Sequence, residues 1–398
     1  MADEEPTQVS PKMTFEGNGA SITNVFLTPN WLYCGSNEDG TLRSFRVGKK
    51  DAKSESKSYD LQLKGLYHHS SALVVLRADH KVSMWSLGEK RVRATLSGHQ
   101  KWITSVLVTE SGALLTASAD NTVCLWEVDG ALSGDGGPNG GRQSTIKPAL
   151  TFKGHTDTIT AMVFCRQDLF TSSADKTLRR WTLGGKCIEE IKGHENWVLA
   201  LHSYDDKMLV STSRDQTMRL WTVASRKKFG GRKNTKCHKV VELPGLPHFL
   251  KVYRTAAYVA TSDNNITSYE IKTGKKLQVF EGHTGKVRSL VFVNYAMWSA
   301  SADRAIRKWN TTNGKCCSLY AGHSKAVNSL QVDSKYLYSA SDDGTVAKWD
   351  LRLDEDELAW FGGTNKEAAT ASELAWIGSS KDSSKASSSA ASELAWYC

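Results

Sequence analysis

The sequence has no apolar run approaching the roughly 18 residues that a membrane-spanning helix needs; its densest stretch is Ala72–Leu76. The first ten residues, MADEEPTQVS, are acidic and polar, so no secretory signal is expected there. Eight cysteines, at 34, 124, 165, 187, 237, 316, 317 and 398, form no CxxC pair and show no metal-ligand spacing. In a chain of 398 residues they do not suggest a disulfide framework, and no metal site or cofactor is expected. A reduced compartment follows as the default: cytoplasmic, with the nucleus as an alternative. No 3.6-residue apolar period is sustained over ten or more residues, which excludes long amphipathic helices. Wholesale disorder is excluded too, because 40 % of the residues are apolar and only 23 % are charged.

What the chain does have is a count of eight. An apolar residue, any residue, then glycine recurs at Phe15-Gly17, Leu63-Gly65, Leu96-Gly98, Phe152-Gly154, Ile191-Gly193, Leu243-Gly245, Phe280-Gly282 and Tyr320-Gly322. An aromatic closes a short alternating run at Phe45, Trp85, Trp126, Trp181, Trp221, Tyr269, Trp309 and Trp349. The two markers interleave strictly, with the aromatics 40, 41, 55, 40, 48, 40 and 40 residues apart. A period near 40 is that of a four-stranded propeller blade. VLALHSY, KMLVSTS and TMRLWTV, separated by Asp205-Asp206 and Arg214-Asp215, have the texture of strands and turns.

Five units carry Gly-His near the start and a small-residue/Asp turn before the tryptophan. They are GHQKWITSV…SADNTVCLW, GHTDTITAM…SADKTLRRW, GHENWVLAL…SRDQTMRLW, GHTGKVRSL…SADRAIRKW and GHSKAVNSL…SDDGTVAKWD. On these residues the chain resembles the WD-repeat β-propeller family over roughly 12–353. The resemblance implies an all-β fold: a single propeller of four-stranded blades, closed by its N-terminal strand. Residues 1–11 are expected to be a flexible N-terminus. Three units depart from the pattern: Asn18 and Phe45 in the first, a short Gly65-to-Trp85 interval in the second, Gly245-Leu246 and Tyr269 in the sixth. Eight blades are preferred to seven, because discarding the second unit leaves 48–90 as a very long loop. KMTFEGNG resembles the outer strand LQVFEGHTG, so Lys12–Glu16 is expected to complete the blade that ends near Asp350.

The good units hold tetrads: His99/Thr116/Asp120/Trp126, His155/Thr171/Asp175/Trp181, His194/Ser211/Asp215/Trp221, His283/Ser299/Asp303/Trp309 and His323/Ser339/Asp343/Trp349. They mimic a Ser-His-Asp triad. A nucleophile is needed once, in an open cleft, whereas this set recurs five times at positions the fold should bury. The family pattern implies instead an Asp–His–hydroxyl–indole hydrogen-bond chain that ties the loops down, and no enzyme is expected.

Specificity then falls to surfaces. Residues three and five after each motif histidine should face outward: Trp102 and Thr104, Thr158 and Thr160, Trp197 and Leu199, Lys286 and Arg288, Ala326 and Asn328. Trp102, Trp197, Lys286, Arg288 and Asn328 are the candidates for protein or peptide contacts. Three connections are enlarged, 48–57, the Gly-rich 129–147 and the basic 226–239. The last, with Arg226, Lys227, Lys228, Arg232, Lys233, Lys236 and Lys239, could meet an acidic partner, a phosphate, nucleic acid or a membrane. Nothing resembles a nucleic-acid motif, so sequence-specific binding is not expected.

From 354 to 398 the chain turns to Ser, Ala and Glu, a composition expected to stay disordered, with eight acids against three lysines. It repeats Glu-Leu-Ala-Trp three times, placing Trp360, Trp376 and Trp396 as candidates for multivalent recruitment or for folding back on the basic body. Trp349-Asp350-Leu351-Arg352 also matches the Trp-Asp-x-Arg pattern of propellers that act as substrate receptors of cullin-type ubiquitin ligases, where Arg352 would face the adaptor.

Overall fold

The computed structural model describes residues 6–16, 20–28, 30–46, 57–60, 63–69, 72–109, 111–128, 144–224, 234–293, 295–333 and 335–351. These residues form strands, turns and bends, with no helix among them. The strands make eight sheets, the blades of an eight-bladed β-propeller. Each sequence unit supplies one blade, including the short second unit, whose strands run from Leu63–His69 to Arg91–Leu96. The described residues fall into two compact units: residues 62–277, carrying blades 2 to 5 and most of blade 6, and the flanking residues to 61 and from 278, carrying the end of blade 6's fourth strand and blades 1, 7 and 8.

Within a blade, consecutive strands pair antiparallel. In blade 5, Val198–Tyr204 pairs with Met208–Ser213, then Thr217–Thr222, then Lys236–Glu242. The first strand carries a bulge between Val198 and Ala200. A bulge recurs at the same place in the first strands of blades 2, 3, 4, 6, 7 and 8. The middle strands are buried on both faces, as in the MLVSTS and TMRLWT runs, so they read as continuous apolar and small residues rather than alternating ones.

Neighbouring blades bury each other's faces. Val163 and Phe170 of blade 4 pack with Leu201 and Trp221 of blade 5, and Val210 and Leu220 of blade 5 pack with Leu250 and Tyr269 of blade 6. Trp298 of blade 7 packs with Leu330 and Trp349 of blade 8. Phe15 and Tyr338 of blade 8 pack with Val25 and Phe45 of blade 1. A blade therefore has no core of its own, which is why the repeats come as a set.

The N-terminal residues do complete the last blade: Met13–Glu16 pairs antiparallel with Thr345–Asp350, Met13 opposite Lys348 and Glu16 opposite Thr345. The expectation of a flexible segment over 1–11 is corrected at Thr7–Val9, which adds a fifth, parallel strand to blade 7 alongside Ser318–Tyr320. Ser144–Ile146, at the end of the Gly-rich connection, does the same to blade 2 alongside Ala94–Leu96. Each added strand is followed two residues later by a proline that sits on a motif glycine. A Cβ on Gly322 would lie 3.0 Å from Pro11 Cδ, and one on Gly98 would lie 2.9 Å from Pro148 Cδ. In blades 4, 5 and 7 an arginine takes that seat instead: Arg179 on Gly154, Arg219 on Gly193 and Arg307 on Gly282. Cys124 and Ala347 occupy the arginine's position where proline is used. Proline and guanidinium are alternative plugs for one gap.

Candidate partner-binding surface

Each Gly-His loop is fixed from beneath. In blade 5, Asp215 opens the turn between the second and third strands, and its Oδ1 accepts from the backbone N–H of Thr217 at 3.0 Å and from the Thr217 hydroxyl at 2.7 Å. That holds Gln216 in the left-handed region at φ 62°. The corresponding residues Asn121, Lys176 and Arg304 share that conformation, and blade 8 supplies Gly344 there. The other oxygen, Oδ2, accepts from the Glu195 N–H at 2.9 Å and meets His194 Nδ1 at 2.9 Å. His194 Nε2 meets Ser211 Oγ at 2.7 Å, and Trp221 Nε1 donates to the same Oγ at 2.8 Å.

The other four tetrads have the same connectivity. Nδ1 to carboxylate is 2.8 Å at His99, 2.6 Å at His155, 2.7 Å at His283 and 2.9 Å at His323. Their Nε2 atoms lie 2.6–2.8 Å from Thr116, Thr171, Ser299 and Ser339. Trp126, Trp181, Trp309 and Trp349 donate to those hydroxyl oxygens at 2.7–2.9 Å. Each hydroxyl oxygen thus accepts from an indole while meeting the imidazole, and the Nδ1 side of the ring, facing a carboxylate that can only accept, carries a proton.

Burial would push the aspartates up, but the histidine, hydroxyl and backbone donors outweigh it. Asp120, Asp175, Asp215 and Asp343 stay well below the usual carboxylate range, and Asp303 is brought down to about 2. Two imidazoles diverge. Burial draws His194 down, whereas at His99 burial is outweighed by Asp120 and the Cys124 sulfur, which hold it up at about 9. All five hydroxyl residues are fully buried, so none offers an accessible nucleophile.

Above this frame, the residue three after each histidine is anchored by its carbonyl. Trp102, Thr158, Trp197, Lys286 and Ala326 accept from Ala119, Ala174, Arg214, Ala302 and Asp342 at 2.8–3.0 Å. Their side chains are left to point outward. Trp102 is 59 % exposed and Trp197 is 44 % exposed, and Lys286 is exposed as well. The Arg214 guanidinium lies 5.3 Å from the Trp197 ring centroid. Sequence reasoning missed Arg214; its signal was an arginine where three other good units have alanine in Ser-Ala-Asp.

The residue five after the histidine does something else, and here the structure corrects the expectation that it faces partners. Thr104 donates to the Ile159 carbonyl at 2.6 Å and Thr160 to the Val198 carbonyl at 2.7 Å, each crossing to the next blade. Asn328 donates to the Ile22 carbonyl at 2.8 Å and to Asp342 at 2.7 Å. Arg288 reaches both Asn328 and Asp342, the latter at 3.0 Å. Arg288 and Asn328 are thus half-buried members of an internal network joining blades 7, 8 and 1.

Of the basic connection, Lys236 and Lys239 are exposed on the fourth strand of blade 5, while Arg226, Lys227, Lys228, Arg232 and Lys233 lie outside the described residues. So do Arg352, Trp360, Trp376 and Trp396; Trp349 itself is fully buried and Asp350 pairs with Lys12 at 3.4 Å.

Comparison with known proteins now bears on these sheets and tetrads. The family model for the WD domain, G-beta repeat, matches residues 90–127, 146–182, 185–222, 274–310 and 314–350. The chain is a WD-repeat protein. The five matched segments carry the five tetrads, and the first three strands of blades 1, 2 and 6, which lack them, fall between or before the matches. Mitochondrial division protein 1 of Kluyveromyces lactis is 26 % identical over 52 % of this chain and 26 % of its own length. Nuclear distribution protein PAC1 of Arthroderma otae is 26 % identical over 50 % of this chain and 45 % of its own. The CCR4-associated factor 4 homolog of Candida glabrata is 33 % identical over 28 % of this chain and 19 % of its own. The WD-repeat chain therefore spans less than half of each of these curated relatives. Among solved structures, the computationally designed Ika8 protein superposes with a TM-score of 0.70 at 21 % identity, over 87 % of this chain and all of that one. The WD40 β-propeller domain of Doa1 gives a TM-score of 0.54 at 19 % identity, over 86 % of this chain and 97 % of that one. These two likenesses concern the fold alone.

Proposed function

We propose that this WD-repeat propeller is a non-enzymatic scaffold that recruits protein or peptide partners at the Trp102–Trp197 end of blades 3 to 5. One observation carries it. Trp85, Trp126, Trp181, Trp221, Trp298, Trp309 and Trp349 are buried, whereas Trp102 and Trp197 stand exposed on a backbone already fixed by hydrogen bonds. An exposed tryptophan on a rigid frame loses little freedom on binding and buries a large area, the character of an interface hot spot. Lys101 and Arg214 beside them favour a partner with acidic residues around an apolar anchor. The names of the curated relatives refer to processes, mitochondrial division and nuclear distribution, rather than to reactions, which supports a binding role. The Glu-Leu-Ala-Trp copies at Trp360, Trp376 and Trp396 are proposed as additional peptide contacts, strengthened by being tandem.

Affinity purification of the full chain, of Trp102→Ala with Trp197→Ala, and of a chain ending at Leu353 tests this. The double variant should keep its melting temperature and lose partners that the truncated chain retains. Retention of every partner by the double variant would refute the surface.

A further inference from the structure

A second surface stands on the side of blades 5 and 6. The fourth strand of blade 5, Lys236–Glu242, is exposed at every residue except Val241, and it presents Lys236, His238 and Lys239. The turn before the fourth strand of blade 6 adds Lys272 and Lys275, and that strand opens with Lys276 and Leu277, all exposed. Two contacts join these pieces. The His238 ring donates from Nε2 to the Lys272 carbonyl at 3.0 Å. Gly274, at φ 70°, packs so closely that a Cβ there would lie 2.8 Å from Lys239 Cγ and 2.9 Å from Val241 Cγ2.

Lys236, Lys239, Lys272 and Lys275 therefore gather where the two pieces meet, and Lys276 follows them in the chain. None of them has an ion-pair partner among the described residues. Three other lysines are neutralised, Lys12 by Asp350, Lys81 by Asp79 and Lys192 by Glu190. The nearby Glu270 is turned to the Thr273 hydroxyl. Alternating with Lys239 and Lys276 along the two strands are Val240, 40 % exposed, and Leu277, 46 % exposed, two of the six large apolar side chains exposed among the described residues.

We propose that this side of blades 5 and 6 docks on an anionic lipid bilayer. The lysine ammonium groups would lie against headgroup phosphates and carboxylates, with Val240 and Leu277 entering the boundary between headgroups and acyl chains. Lysine heads are compact point charges on flexible stems, suited to a laterally mobile layer of anions. The two aliphatic tips have no use against a phosphate backbone, and among the described residues the patch presents no Phe, Tyr or Trp on which a base could stack. The attraction is electrostatic and reversible, worth about fivefold in partition per lysine near the surface.

The test is co-flotation of the full chain with phosphatidylcholine vesicles and with phosphatidylcholine–phosphatidylserine vesicles. Binding should require phosphatidylserine and weaken steeply with salt. Lys272→Ala with Lys275→Ala should lower partition about 25-fold. Val240→Ser with Leu277→Ser should lower it while leaving the salt dependence intact, because no charge is removed. Lys176→Ala with Lys325→Ala, on the Gly-His end, should leave it unchanged. Equal binding to neutral vesicles, or indifference to the lysine pair, would overturn the proposal. So would capture of polyuridine or polyglutamate through these lysines without vesicle binding, which would assign the surface to that polymer.

Discussion

Replacing Asp215 by alanine removes the acceptor of four donors at once: His194 Nδ1, the Glu195 N–H, the Thr217 N–H and the Thr217 hydroxyl. Two of these, the ring N–H and the hydroxyl, belong to buried residues and cannot turn to water. A buried donor left unpaired costs about 1–3 kcal/mol, so a loss of about 3 kcal/mol is expected. Asp303 offers an internal comparison, because Ala305 stands where Thr217 does and its carboxylate receives no hydroxyl. Asp303→Ala should therefore cost about 1 kcal/mol less, the difference of one buried hydrogen bond. Urea unfolding followed by the summed tryptophan fluorescence measures both. Unfolding free energies within about 0.5 kcal/mol of the parent for Asp215→Ala would refute the account. So would a variant that melts normally yet loses partner binding, since the tetrad would then be acting at the surface.

Acid should unfold the protein through the same groups. The five motif aspartates have folded pKa values depressed below those of the unfolded chain, so their contribution is complete above about pH 4 and is lost as pH falls toward the folded values. The urea midpoint should drop between about pH 4 and 2, and Asp303→Ala should flatten that slope. Gly98→Ala forces a methyl against the rigid Pro148 ring and the Trp126 indole, both about 3 Å away; it should cost about 1–3 kcal/mol, whereas Gly88→Ala, with nothing within 4 Å, should be close to neutral in thermal melts. Asn328→Ala breaks bonds to Ile22 and Asp342 together. It should cost about 2 kcal/mol and speed proteolytic release of the N-terminal segment, with unchanged cleavage rates counting against the network.

The blades were legible because their burial demand is repetitive. A tryptophan that must fill the gap to its neighbour, with an Asp turn and a histidine holding it, writes the same letters each time. Lys12–Glu16 was legible for the same reason, as a fourth strand without its blade. Thr7–Val9 and Ser144–Ile146 were not, since three mostly polar residues in a parallel pair leave almost no pattern. Only the shared apolar-x-Pro step, Val9 to Pro11 and Ile146 to Pro148, marked them. The outward role given to Arg288 and Asn328 failed on register: two residues beyond Lys286 and Ala326, across the bulge, the side chain turns from the surface to the adjoining blade. The lysine face of blades 5 and 6 was half legible, because Lys236 and Lys239 lie 33 residues or more before Lys272 in sequence and only the fold brings them together.

The pairing of Thr7–Val9 with blade 7 and Met13–Glu16 with blade 8 sets a schedule for biosynthesis. In synthesis these residues precede their partners by more than 300 positions, as with Lys12 and Asp350. They must wait, unpaired, while the intervening blades are made before they can be seated. Loops of that length close slowly and late. Whatever shields the waiting segment from stray pairing, in the cell or in a refolding tube, governs how much of the chain reaches its finished form.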